Sequence, residues 1–496
     1  MGFLLDVILI LPFATALVTY FSPLKASKVL TIVAGSATFL LSLSLVSTVA
    51  THGPVTSGSS LRVDALSMVF LVAVTFLYAA TAVFASGYLH LANNASGIRY
   101  GRRFYAGFNL FCWSMAVAPL VNGLALLWVA IEITTVVSAL LVAIDDTDGA
   151  TEASWKYVLL ASLGLGIALL ATIIMYYAGT TVFGSAYDLS YTKLLADAPR
   201  FPPDVVRLAY VLAVLGYGTK MGLVPVHTWL PDAHSEAPTP VSALLSGSLL
   251  AVSFYAILRY FQIAVRSLGP TFPRDVLLVF GVASMLLAAL YLLVQRDLKR
   301  LLAYSSIEHM GILTIGMSFG APVAVIGVLL HVLAHAAAKG TAFFGAGSVL
   351  RKFATKDMTM IRGGVGALTW SGPMLIAAIL ALSAMPPFGI FRSEFLIVSG
   401  GLSDPHDTVA ALLIVLVTVA FFGLAWYTTQ TMLTPDALSI ADGATGGTQP
   451  SSQRESAMIV VSMGIGLVAL VILGVHPPSD LSQLLSRAAN ELGGAK

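Results

Sequence analysis

VLGYGTKMGLVPVHTWLPDAH, residues 214–234, sets a lysine inside an apolar run that glycine and proline interrupt. Gly216, Gly218, Gly222 and Pro225 surround Lys220. Glycine and proline loosen a helix and free backbone carbonyls, which lipid-embedded proteins tolerate where a cavity is lined. A lysine removed from water exchanges its proton more readily than one in solution. A snorkelling lysine is the competing reading, but the chain is apolar in both directions from Lys220. This stretch therefore reads as a broken membrane helix carrying a working charge.

The rest of the chain agrees. Of 496 residues, 57% are hydrophobic and 10% are Asp, Glu, Lys or Arg. A soluble domain carries about 25% charged residues, so lipid replaces water as the main solvent here. About fourteen stretches approach the length of a membrane helix. Their limits are 3–21, 28–50, 64–89, 104–121, 123–144, 156–178, 208–224, 237–262, 276–295, 300–318, 322–349, 370–400, 408–433 and 456–474. The first, which lacks a basic leader, reads as a retained span. Alternating strand patterns are absent, which disfavours a barrel. Residues 434–455, rich in Gly, Ser, Thr and Asp, read as a flexible loop, and 475–496 as a short tail. Lysine and arginine collect in one set of loops, including Arg99, Arg102, Arg103, Arg296 and Arg300. The positive-inside rule then puts both termini outside the cytoplasm.

Ionised groups at mid-membrane depth are costly and default to function. Glu132 lies in LALLWVAIEITTVVSALLVA (124–143), the fifth span. A structural carboxyl bonded to a neighbouring helix is its competing reading. His331, His335 and Lys339 lie in LLHVLAHAAAKGTAFF (329–344), where steps of four put all three on one helical face. Histidine titrates near neutral pH, so this face suits a proton relay. Two histidines four apart also suit a metal, but no HExxH glutamate stands between them, and the relay is preferred over a metal site. A merely structural polar stripe is the third reading. Glu394 lies in SAMPPFGIFRSEFLIVSGG (383–401), just after Pro386, Pro387 and Gly389 break the twelfth span; Arg392 points elsewhere.

Broken spans seven and twelve are five helices apart and so run in opposite directions. The expected fold is all-α integral membrane, with about 14 helices and two inverted five-helix repeats, spans 4–8 and 9–13. The expected divisions are 1–103 for three N-terminal helices, 104–265 for the first repeat, 276–433 for the second, and 434–496 for a loop, a last helix and a tail. GYGTKMG lacks phosphate-loop spacing, and Gly164 and Gly166 suit close helix packing. With one cysteine, Cys112, there is no cluster or thiolate-metal motif. No cofactor and no metal are expected in this chain, and redox chemistry belongs to another subunit. The net charge of +2 points to no nucleic acid.

GTKMGLVPVHTWLPDAHSEAPTPVSALLSG (218–247), RDLKRLLAYSSIEHMG (296–311) and HVLAHAAAKGTAFFGAGSVL (331–350) resemble one known family. It comprises the antiporter-like subunits of respiratory complex I, multi-subunit sodium/proton antiporters and membrane-bound group 4 hydrogenases. The resemblance runs from about Asp64 to about Gly400. It implies proton or sodium translocation through a row of ionisable groups in the membrane plane. By position that row would hold Glu132, Lys220, His331, His335, Lys339 and Glu394. Many members carry a lysine in the eighth helix where SGSLLAVSFYAILRY (246–260) has Ala251, so that step would use water or His309. The lateral C-terminal helix of one complex I subunit is missing. Glu308–His309 is closest to hydrogenase-4 and formate hydrogenlyase type subunits. The implied partners are other membrane subunits and a peripheral redox module. The rivals are a stand-alone antiporter assembly and a non-pumping structural anchor.

Overall fold

A computed structural model describes residues 1–89, 91, 94–403, 407–434 and 455–493. Helix covers most of each of the apolar stretches, with 370–400 interrupted between Leu382 and Gly389. Among the described residues, ten helices are long and apolar enough to cross a membrane, and Ser371–Leu382 is a shorter apolar one.

The chain begins with α1 (Gly2–Phe21), α2 (Leu24–His52) and α3 (Ala65–Tyr88). The next run holds α4 (Ala95–Leu120), α5 (Leu124–Val142), α6 (Asp148–Phe183), the short α7 (Tyr191–Asp197), and α8 (Pro203–Met221) with α9 (Trp229–Glu236) beyond a break. It ends with α10 (Thr239–Leu244) and α11 (Leu250–Leu268), joined by a π turn over Leu245–Leu249. The third run holds α12 (Thr271–Leu292), α13 (Leu298–Phe319), α14 (Pro322–Phe353), a short α15 (Gly364–Ala367), then α16 (Ser371–Leu382) and α17 (Gly389–Leu402) around a second break, and α18 (Asp407–Met432). Last come α19 (Ala457–Val475) and α20 (Ser479–Gly493).

The breaks fall where glycine and proline require them. α8 ends one residue after Lys220, because Gly222 takes φ 85° and its N–H folds back on Gly218 and Thr219. α16 ends before Pro386 and Pro387, and α17 resumes at Gly389. Glycine also sets how closely helices meet. A Cβ on Gly216 would sit 2.6 Å from the backbone nitrogen of Ala168 and 2.7 Å from the carbonyl oxygen of Gly164, so α6 and α8 touch backbone to backbone. Gly166, expected to pack in the same way, meets nothing within 4 Å.

Packing order matches between the two runs. α4 packs on α5, α5 on α6 and α6 on α8; likewise α12 packs on α13, α13 on α14 and α14 on α17. The helix from Thr239 to Leu268 is buried along its whole apolar window.

Three elements differ from the sequence reading. α4 starts at Ala95, so a boundary at 103 cuts through a helix. A two-stranded hairpin, Val55–Ser57 with Leu61–Val63, precedes α3; three-residue strands are too short to show alternation. The expected tail is α20, which buries Leu484, Leu485, Ala488 and Leu492 on one face. Its polar face kept it below any hydropathy threshold. The expected loop at 434–455 lies almost wholly outside the described residues.

Candidate functional site

Lys220 is fully buried at the end of α8, with its ammonium turned onto α5. It donates to the Ile131 carbonyl at 3.1 Å and to the Thr135 hydroxyl. Its Nζ also lies 5.9 Å from the centre of the Tyr157 ring. Glu132 stands on the same turn of α5 but is not bonded to Lys220. It accepts instead from Ser162 of α6 at 3.3 Å, and its second oxygen has no partner. Backbone carbonyl and hydroxyl take the lysine's protons instead. Glu132 is half-buried, between Val129 (44% exposed) and Val136 (56% exposed) on one helical face.

The second half assembles around α13. Lys339 of α14 is fully buried and donates to the Leu302 carbonyl at 2.9 Å and to the Ser305 hydroxyl. Ser306 bonds Ser246, in the π turn, at 2.7 Å. Glu308 is 2% exposed, with one carboxylate oxygen unpartnered. His309 meets His331 of α14, Nδ1 to Nε2, at 3.1 Å, and its Nδ1 lies 4.0 Å from Glu394 Oε1 on α17. The His309 and His335 rings are 5.2 Å apart, centre to centre, and neither nitrogen of His335 has a partner.

The proton positions on this chain follow from its far end. Ser393 gives its one hydroxyl proton to the Ile390 carbonyl at 2.8 Å. Its oxygen must then accept from His331 Nδ1–H at 2.9 Å. A neutral His331 is left with a bare Nε2, which accepts from His309 Nδ1–H. A neutral His309 in turn keeps a bare, buried and unpartnered Nε2. These tautomers are assigned from the hydrogen-bond pattern. The hydrogen bonds thus run in one direction: His309 Nδ1–H to His331 Nε2, His331 Nδ1–H to Ser393 Oγ, and Ser393 O–H to the Ile390 carbonyl.

Thus Glu132 and Lys220 share a turn of α5, and His309, His331, His335 and Glu394 form one cluster. Lys339 lies one turn beyond His335 on α14 and is tied to α13 as well, through Leu302 and Ser305. The two halves meet at the break in α8: a Cβ on Gly222, two residues past Lys220, would lie 3.9 Å from Ile307 of α13. Ala251, where a lysine is missing, is 1% exposed on the buried helix, and the Ser246–Ser306 hydroxyl pair lies one turn before it. Glu308, Ser305, Ser306 and Ser393 escaped the sequence-based list. The signal for the first three was SSIEH, a polar run in an apolar span; Ser393 gave none beyond adjacency to Glu394.

Residues 121–423 match the family described as NADH:quinone oxidoreductase/Mrp antiporter, transmembrane. The chain is 36% identical over 369 residues to a Hydrogenase-4 component F homolog from Methylacidiphilum infernorum (isolate V4), covering 73% of this chain and 76% of that one. It is 32% identical over 373 residues to NADH-quinone oxidoreductase subunit N of Desulforudis audaxviator (strain MP104C), covering 74% and 71%. Its fold is similar to a chain of the Mrp complex from Dietzia sp. DQ12-45-1b, with a TM-score of 0.84 over 99% of this chain and 98% of that one at 19% identity.

Proposed function

The chain belongs to the NADH:quinone oxidoreductase/Mrp antiporter membrane family, and on that basis we propose that it carries protons along Glu132, Lys220, Lys339 and the His309–His331–His335–Glu394 cluster. It is an antiporter-like, multi-pass integral membrane subunit of the kind found in complex I, hydrogenase-4 and Mrp-type assemblies. The observation that carries the proton reading is the directed line from His309 Nε2 through His331 to Ser393. Imidazoles joined N–H to N pass protons. Sodium, a hard cation, needs several oxygens around it. The cluster offers mostly ring nitrogens, which favours the proton over sodium.

The matched packing order of α4–α8 and α12–α17 supports an inverted repeat, with one broken, charge-bearing helix in each half. Lys220 and Lys339 stand on helices that do not correspond in the repeat, α8 and α14, yet each ammonium rests on one carbonyl and one hydroxyl of a neighbouring helix. The link between halves runs through α13 and the Ser246–Ser306 hydroxyls, in place of an amine at Ala251.

Glu132 supports the multi-subunit reading. A carboxyl beside lipid-facing valines is costly, about 2.5–3.5 kcal/mol for an ionised group at mid-helix. A neighbouring membrane subunit would cover it and receive or supply its proton. The likeness to a Hydrogenase-4 component F homolog favours an assembly with a peripheral redox module. The fold likeness to an Mrp chain supports a stand-alone antiporter as the second reading. Purification in mild detergent separates them. Nickel–iron or quinone-linked redox subunits should accompany the chain, whereas small antiporter subunits alone would favour the second reading. Lack of ion flux by the reconstituted assembly would leave the structural-anchor reading.

A further inference from the structure

We propose that His309, His331 and Glu394 form a three-donor site for a borderline-soft divalent cation such as zinc, and that a bound ion interrupts the proton line. The second half of that statement rests on the relay reading above; the first does not. The three groups come from α13, α14 and α17, and each offers a ligand atom within 4.8 Å of the other two. His309 Nδ1 and His331 Nε2 lie 3.1 Å apart, close to the spacing of two nitrogens that each bind one zinc ion at about 2.0–2.1 Å. Glu394 Oε1 is 4.0 Å from His309 Nδ1, so a small side-chain movement closes the third position. Two imidazoles and a carboxylate are a donor set that zinc accepts with a fourth position open.

The surrounding groups orient these donors. Ser393 accepts from His331 Nδ1–H at 2.9 Å, which holds Nε2 bare and aimed at His309. Hydrogen bonds of this kind fix the tautomer of a metal-binding histidine. When His309 binds through Nδ1, its proton moves to Nε2, now buried without a partner. His335, with both nitrogens unpartnered, has its ring centre 5.2 Å from that of His309. Sequence spacing had directed attention to His331 with His335 as the metal pair. Their rings instead lie parallel, 6.3 Å apart, and it is His309 from another helix that completes the site. An ion here occupies the two nitrogens between which the proton passes.

The test uses the intact, metal-stripped assembly in detergent, titrated with zinc against a chromophoric chelator. One tight site per copy of this chain is expected. His309→Gln and His331→Gln should each weaken it by ten-fold or more, and Ser393→Ala by about ten-fold through loss of orientation. Lys220→Ala, in the other half, should leave affinity unchanged. Cobalt added to the unaltered assembly should give the intense visible bands of a low-coordinate site, a readout independent of how well the variants fold. Zinc affinity that is the same in the wild type, His309→Gln and His331→Gln would mean adventitious surface binding and overturn the proposal. So would absence of a tight site together with a six-coordinate cobalt spectrum. Flux is read separately: zinc bound at these residues with proton flux unaltered leaves the site standing and removes the relay.

Discussion

At the scale of single residues, function depends on where buried protons are held. Lys220 and Lys339 each rest on a carbonyl and a hydroxyl of a neighbouring helix, without a carboxylate in contact. An ammonium held by neutral oxygens releases its proton without breaking an ion pair. Ser393 should matter for the same reason. Ser393→Ala removes the acceptor that sets the His331 tautomer, and it should cut proton flux several-fold with the assembly intact; unaltered flux would place the line elsewhere. Glu308 is buried with a free oxygen in the same span as Ser305 and His309, so Glu308→Gln should lower flux while Glu308→Asp retains more of it. Equal losses in the two would point to packing and not to charge. Glu132, Lys220, the histidines, Lys339 and Glu394 were legible in the sequence because charge in an apolar run is conspicuous. Their partners were not: a serine or a carbonyl acquires its role only when another helix is brought against it.

Among the elements, α13 is the organiser. It supplies the Leu302 carbonyl and Ser305 to Lys339, Ser306 to the π turn, and His309 to the cluster. Close helix contact keeps the lysines in place, and that gives a stability prediction. Gly216→Ala puts a methyl within 2.6 Å of the α6 backbone and should cost about 1–3 kcal/mol, read as a lower melting temperature. Gly166→Ala, with open space around it, should be neutral.

α20 gives a prediction in pH. Glu491 accepts from the N–H groups of Ala65 and Leu66 at 3.3 and 3.1 Å, capping α3, beside the buried Asp64–Arg259 pair at 2.6 Å. Burial first, and the charge of Asp64 second, push its carboxyl up to about 7, against the pull of Arg259 and the two N–H groups. A carboxyl raised in the folded state stabilises most while protonated. That contribution is full below the ordinary carboxylate range and is lost as pH rises through about 7. Amide exchange over 479–493, corrected for intrinsic rate, should speed up across that range, and Glu491→Gln should flatten the response. An unchanged response in Glu491→Gln would assign it to another group. Hydropathy alone could find the long apolar helices, but an amphipathic helix and three-residue strands lie below its reach.

For the whole molecule, the two ends of the proposed row, Glu132 and Glu394, approach outer faces of the bundle. Glu132 lies between exposed valines; Glu394, 8% exposed, is flanked by Phe391 and Phe395 at 40% and 63%. Such ends suit hand-over to neighbouring subunits along the membrane plane. The loop charges predict that both termini lie outside the cytoplasm. A reporter active only in the cytoplasm, fused after Lys496, should therefore be silent, and strong activity there would reverse the orientation. The architecture was legible because the two breaks, seven and twelve, carry glycine, proline and charge together. The join between the halves was not, since the family's lysine position holds Ala251 and the proposed link is a hydroxyl pair from serines sixty residues apart.

Proton conduction by the buried row is open to direct test. The most direct measurement is proton flux by the reconstituted intact assembly, comparing wild type with Lys220→Ala and Lys339→Ala at equal subunit content. Each lysine should be required, so flux should fall at least ten-fold in either variant. The double variant should be no worse than the worse single one, because both interrupt one path. Wild-type flux in either variant, with the assembly intact, would contradict the account.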